Sequence, residues 1–186
     1  MTQQTTETGS SSNQWDIDAS HTGAHFSVRH LMVSNVRGEI HVASGSLTYD
    51  AAKPEAAKLE VTLDAKSIDT RDAKRDEHLR SADFFDAEKF PTITFKSKSV
   101  KKDGKALAVT GDLTIHGTTK EVVLEIEEIH GPSKDPWGGT RIGASATTKV
   151  NRKDFGLVWN MALETGGVIV GEEVKITLEA EFTQKK

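Results

Sequence analysis

Three histidines, His21, His25 and His30, lie close together near the start of the chain, and imidazole is the commonest protein ligand for zinc and iron. Extended backbone would put His21 and His25 on one face, four residues apart, and turn His30 to the other. The chain has no cysteine, and no nearby carboxylate completes a tetrahedral set, so no metal site is expected. His30 instead shares parity with Phe26, Val28 and Met32, which fits either an inward histidine hydrogen-bonded at the mouth of a barrel or a contact for the polar end of a ligand.

A second cluster, Arg75, Asp76, His78 and Arg80, carries cations suited to a phosphate or carboxylate. Arg80 is followed by Ser81 and Asp83 beside the pair Phe84-Phe85, which equally fits a bridge that fixes a loop. Arg152 and Asp154, with Asn160 close by, read in the same way. Serine, histidine and acids are all present, but no Gly-x-Ser-x-Gly elbow is. Thr165-Gly166-Gly167-Val168 with Gly171 is a flexible strand connection rather than a phosphate loop. The pairs Glu127-Glu128 and Glu172-Glu173 point to opposite faces of their strands and cannot share a substrate. No catalytic residue and no cofactor is expected, and binding is favoured over catalysis.

The elements that must position these residues follow a period of two. Leu59, Val61 and Leu63 alternate with Lys58, Glu60, Thr62 and Asp64, as in a half-buried strand. The pattern returns at Leu107, Val109, Leu113 and Ile115, at Val122, Leu124 and Ile126, and from Val174 through Ile176, Leu178 and Ala180 to Phe182. One apolar and one wet face over many strands implies antiparallel sheet. Turn signals at Asp103-Gly104, His116-Gly117 and Gly138-Gly139 predict hairpins. This patterning by itself leaves sandwich and closed barrel both open. One helix is expected over about 70–81, capped by Asp69 or Thr70, with Leu79 as its main apolar contact. The adjacent Phe84 and Phe85 predict a lid loop folded over an apolar opening.

Composition bounds the alternatives. The 186 residues suit one domain able to bury roughly 70% of its unfolded surface; a disordered tail is expected over 1–13 and a single domain over 14–184. Against 24 basic residues stand 28 acidic ones, scattered, for a net charge of -4, which offers nothing to nucleic acid. No run approaches the roughly 20 apolar residues of a membrane span. Met1 to Asn13 has neither the basic start nor the apolar core of a secretory signal. A cytoplasmic location is expected, or a periplasmic one if a signal has been removed.

Three groups of residues bear a family resemblance. They are Trp15-Asp16-Ile17-Asp18 with His21 and Phe26 to Met32; Ser67 to Thr70 with Arg75 to Ser81, Asp83 to Asp86 and Phe90-Pro91; and Gly111 to Thr114, Gly117 to Thr119, Asp135 to Gly138, Arg152 to Leu157 and Trp159-Asn160. In this order the chain, from Trp15 to its end, resembles the YceI-like family. The resemblance implies an extended, lipocalin-like antiparallel β-barrel of about eight strands. Within it would run an apolar tunnel for a polyisoprenoid, an isoprenoid-quinone precursor or another long-chain amphiphile such as a fatty acid or amide. Small side chains over Ile142-Gly143-Ala144-Ser145-Ala146 favour a tunnel over a filled core. Phe26, Val28, Met32, Phe84, Phe85 and Phe95 are expected around it, with Trp137, Ile142, Phe155, Leu157 and Trp159. His30, His78, Arg80 and Asn160 are the candidates for the head group. The resemblance also makes a homodimer plausible. The competing readings are an accessory enzyme using His30 or His78 as acid or base, and a stress-associated structural barrel with a filled core.

Overall fold

The computed structural model describes residues 13–103, 106–162, 164 and 166–185; the tail expected over 1–13 lies outside them except for Asn13. Ten strands follow one another: β1 (Gln14–Ile17), β2 (Gly23–His30), β3 (Ser34–Ile40), β4 (Val42–Thr48), β5 (Lys58–Asp64), β6 (Thr92–Asp103), β7 (Ala106–Ile115), β8 (Thr118–Lys134), β9 (Thr140–Asn151) and β10 (Val170–Gln184). All pairings between them are antiparallel, in the order β1-β4-β5-β6-β7-β8-β9-β10-β2-β3.

One strand decides between sandwich and barrel. β10 pairs with β2 from Val170 to Glu179 and with β1 from Phe182 to Gln184. β1 and β2 therefore act as one strand broken by the single 3-10 turn Ala19–His21, and β3 and β4 as one strand broken at His41. With each broken strand counted once, eight strands close on themselves as a lipocalin-like barrel. Inward positions keep the parity of the sequence: Leu59, Val61 and Leu63 on β5, Val122, Leu124 and Ile126 on β8, and Val174 through Phe182 on β10 all face the interior. Between β7 and β8, His116 and Gly117 have φ of 52° and 72°, the left-handed pair that a two-residue type I′ hairpin needs.

The barrel has one irregular end. β5 stops at Asp64, so among the described residues β3 has only the bridge Glu39–Asp69 on its outer side. The chain fills that gap with a 3-10 turn (Ala65–Ser67), the helix α1 (Ala73–Arg80) and the loop that follows. α1 is shorter than expected and is capped by Asp72, whose Oδ1 accepts from Arg75 N at 3.1 Å. Arg71, at φ 64°, cannot be helical, and Thr70 is spent elsewhere. Its N–H and hydroxyl donate to the buried Asp76 Oδ1 at 2.9 and 2.5 Å, while Arg75 Nε donates to its Oγ1.

At the opposite end an arginine fastens the seam. Arg141 on β9 donates from Nη1 to Asp18 Oδ2 at 2.8 Å and to Glu181 Oε1, and from Nε to Asp135 Oδ2 at 3.0 Å. Hydrogen bonds from Ser20 and then from Arg141 hold the Asp18 carboxyl well below the usual carboxylate range, and a hydrogen bond from Arg141 also lowers the pKa of Asp135. A carboxyl whose folded pKa is depressed stabilises the fold above its unfolded value and loses that contribution as pH falls below it. Stability should therefore decline steeply below about pH 4. The urea midpoint of Arg141→Met should be lower at neutral pH and less dependent on pH in that range, as equilibrium unfolding at a series of pH values will show.

Candidate ligand-binding cavity

The barrel does not fill its own axis. Side chains leave a cavity of about 240 Å³ between the middle of the barrel and α1, and its walls are apolar apart from Thr22, His25, Thr148 and Arg152. Small residues make room on β9 and β10, where Ala144 pairs with Ala180 and Ala146 follows on β9. Two aromatic walls are seated on glycines. A Cβ on Gly38 would lie 2.6 Å from Phe26 Cζ, and one on Gly111 would lie 2.5 Å from Phe95 Cζ and 2.6 Å from the carbonyl of Lys96. Each ring thus packs closely against backbone where an added Cβ would overlap it.

Of the residues expected around the tunnel, Phe26, Val28, Phe84, Phe85, Phe95, Phe155 and Leu157 line this cavity. Phe84 and Phe85 follow α1 and are held by backbone bonds Phe84 N to Ser81 O and Phe85 N to Leu79 O. Trp159 packs behind them, its ring 5.3 Å from Phe84 and 4.8 Å from His78. Ile142 belongs to a second, smaller cavity toward the other end.

Two residues are corrected. Met32 is 54% exposed and Trp137 is 85% exposed, and neither reaches the interior. β2 ends at His30, and Leu31 and Met32 take left-handed φ of 51° and 59° in the turn to β3, so alternation counted past His30 loses its meaning. Trp137 sits in the turn between β8 and β9, at the end of the barrel opposite α1, where Asp135 accepts from Trp137 N and Gly139 N.

The four head-group candidates all lie at the α1 end and none lines the cavity. Arg80 donates to the carbonyls of Lys66 and Ile68, both at 2.7 Å, stitching α1 to the segment after β5. Asn160 donates to Val170 O and accepts from Val170 N. His78 Nε2 lies 2.9 Å from Asp83 Oδ2, with its ring edge-on to Phe84. His30 is half-buried at the end of β2.

His21 lies in the 3-10 turn rather than a strand, and this brings it together with Asp18 and Glu181. Arg141 already meets the charge of both carboxylates.

The residue that sequence reasoning undervalued is Arg152. It is buried and borders the cavity, yet its guanidinium points away into backbone: Nε donates to Gly171 O, Nη1 to Leu157 O and Trp159 O, and Nη2 to Val170 O. Burial lowers its pKa from the ordinary value, which Glu172 partly opposes. The signal lay in Arg152-Lys153-Asp154-Phe155-Gly156, where Gly156 at φ 82° turns the chain back over the arginine.

The profile of the YceI-like domain matches residues 15–182. The chain belongs to the YceI-like family. Protein YceI of Escherichia coli O157:H7 is 42% identical over 171 residues, 92% of this chain and 86% of that protein. The crystal structure of the Campylobacter jejuni YCEI protein, 34% identical, superposes with a TM-score of 0.67 over 85% of this chain and 90% of that one. A polyisoprenoid binding domain from Saccharophagus degradans, 13% identical, shares the fold with a TM-score of 0.65 over 92% and 98% of the two chains.

Two substitutions test how this YceI-like cavity is built. Arg152→Met takes a donor from four carbonyls, of which Val170 O keeps Asn160 Nδ2 as a partner, and should lower stability by about 3 kcal/mol or more, with Arg152→Lys recovering only part, because an ammonium cannot span the same acceptors. Gly111→Ala should cost about 1–3 kcal/mol by driving Phe95 off its seat. Urea unfolding of both measures the effect.

Proposed function

We propose that this protein binds a long-chain apolar molecule inside the barrel, for carriage or sequestration, and that its ligand is a polyisoprenoid or an isoprenoid-quinone precursor. The observation that carries this reading is the cavity: about 240 Å³ of interior bounded almost wholly by hydrocarbon. Its titratable wall residues are otherwise engaged. Arg152 is held by four backbone carbonyls, and His25 turns toward Glu39, 3.7 Å away. Such a wall offers burial and no acid–base pair, which supports binding rather than catalysis. The Saccharophagus degradans domain of the same fold is described as polyisoprenoid binding, and a polyprenyl tail suits a wall of Phe, Leu, Ile and Val.

The energetics favour occupancy. At about 24 cal/mol per Å³, a cavity of this size costs on the order of 6 kcal/mol when nothing fills it, and each buried methylene returns about 0.8 kcal/mol. A ligand should therefore raise the unfolding temperature with its concentration.

Native mass spectrometry of the purified protein, with organic extraction and lipid identification, tests the reading. A stoichiometric long-chain ligand, lost in Phe85→Glu while circular dichroism shows the barrel intact, is the expected result. A protein that carries no lipid and takes up no added polyprenol overturns it in favour of a structural barrel.

A further inference from the structure

A second cavity of about 80 Å³ lies beyond the first, toward the end of the barrel opposite α1. Its walls include Leu47, Tyr49, Val100, Leu107 and Ile142. Four residues line both cavities: Leu59 on β5, Ile126 on β8, Ala144 on β9 and Phe182 on β10. Ile126, Ala144 and Phe182 stand on the neighbouring strands β8, β9 and β10, and Leu59 on β5 packs against the cluster that holds Phe182, so the two spaces are successive chambers that share these side chains as a wall.

Packing divides at the same level. One buried cluster is built around Phe95, Phe155 and Leu113, another around Trp15, Ile142 and Phe182, and Leu59 packs against both. The strands are also irregular there. β6 shifts register between Ser97 and Ser99, and β8 between Ile126 and Glu128. At the β6 shift, Leu59 N donates to Ser97 Oγ at 2.8 Å instead of to a strand carbonyl. Bulges re-aim side chains where a function needs it, and these two bracket the wall.

Resting on the reading that the first chamber holds an apolar tail, we infer that the wall of Leu59, Ile126, Ala144 and Phe182 is a chain-length ruler. Tails that fit the first chamber bind without disturbing it, and longer ones enter the second only by displacing Leu59. The wall is thin on one side, where Ala144 offers a methyl, and movable on the other, where a leucine can change rotamer.

Linear 1-alkanols of graded length, titrated into the intact protein by calorimetry, read this directly. Affinity should rise about fourfold per methylene until the first chamber is full, then stall over the next few carbons. Leu59→Ala should remove the stall, so that the affinity of chains just past the break gains at least tenfold over wild type relative to the change seen for short chains. Ala144→Leu should thicken the wall and leave longer chains with no gain at any length. An unbroken slope in wild type, or a break at the same length in all three proteins, sinks the ruler and leaves the carrier reading standing. Absence of binding at every length sinks both.

Discussion

Every strand edge in a barrel must find a partner, and here the demand falls on β10. Its first part carries β2 and its last carries β1, so the short interruption at Ala19–His21 is what lets one strand serve both and close the sheet. Closure alone truly removes edges. It also fixes the circumference, and with it an interior that the side chains of this sequence do not fill. The cavity, the loops that cap it and the arginines that hold those loops are consequences of that geometry.

The α1 end shows how the gap left by a short strand is closed without sheet. Segments there cannot satisfy their carbonyls in a ladder, and a buried carbonyl without a partner is costly. Two guanidiniums take the place of strand neighbours. Arg80 donates to Lys66 and Ile68, and Arg152 to Leu157, Trp159, Val170 and Gly171. The planar fork of arginine suits this because it presents several donors in fixed directions. The opposite end relies on charge instead, with Arg141 gathering three carboxylates.

How far the sequence discloses this depends on which interactions are periodic. Alternation at Leu59, Val61 and Leu63 and along β8 and β10 reports which side chains face inward, because strand geometry repeats every two residues. Where the backbone leaves that repeat, the parity argument fails, as it does at Met32 beyond the end of β2 and at His21 in its 3-10 turn. The helix begins after Thr70 for a local reason: Thr70 has the composition of a cap, but its hydroxyl donates to the buried Asp76 in the first turn of α1, and Asp72 takes the cap position. Trp137, expected around the tunnel, lies instead in the turn between β8 and β9, where Asp135 accepts from Trp137 N and Gly139 N and is itself held by Arg141 across the hairpin. Arg80 and Arg152 carry charges that suit a ligand in sequence, and only the fold shows them turned onto carbonyls.

A barrel that keeps space at its centre gives up packing energy that a filled core would supply, so other parts of the structure must over-determine the shape. The glycines beneath Phe26 and Phe95 serve that purpose by letting two rings lie against backbone rather than across the axis. If Gly38 or Gly111 carried a side chain, its Cβ would overlap the Phe26 or Phe95 ring, and a ring moved inward would take up cavity volume. The volume is therefore protected from below, by positions that never touch it. A ligand entering such a preformed apolar space meets walls already in place and pays little for ordering them, which makes the fit of its length against the chambers the main source of discrimination.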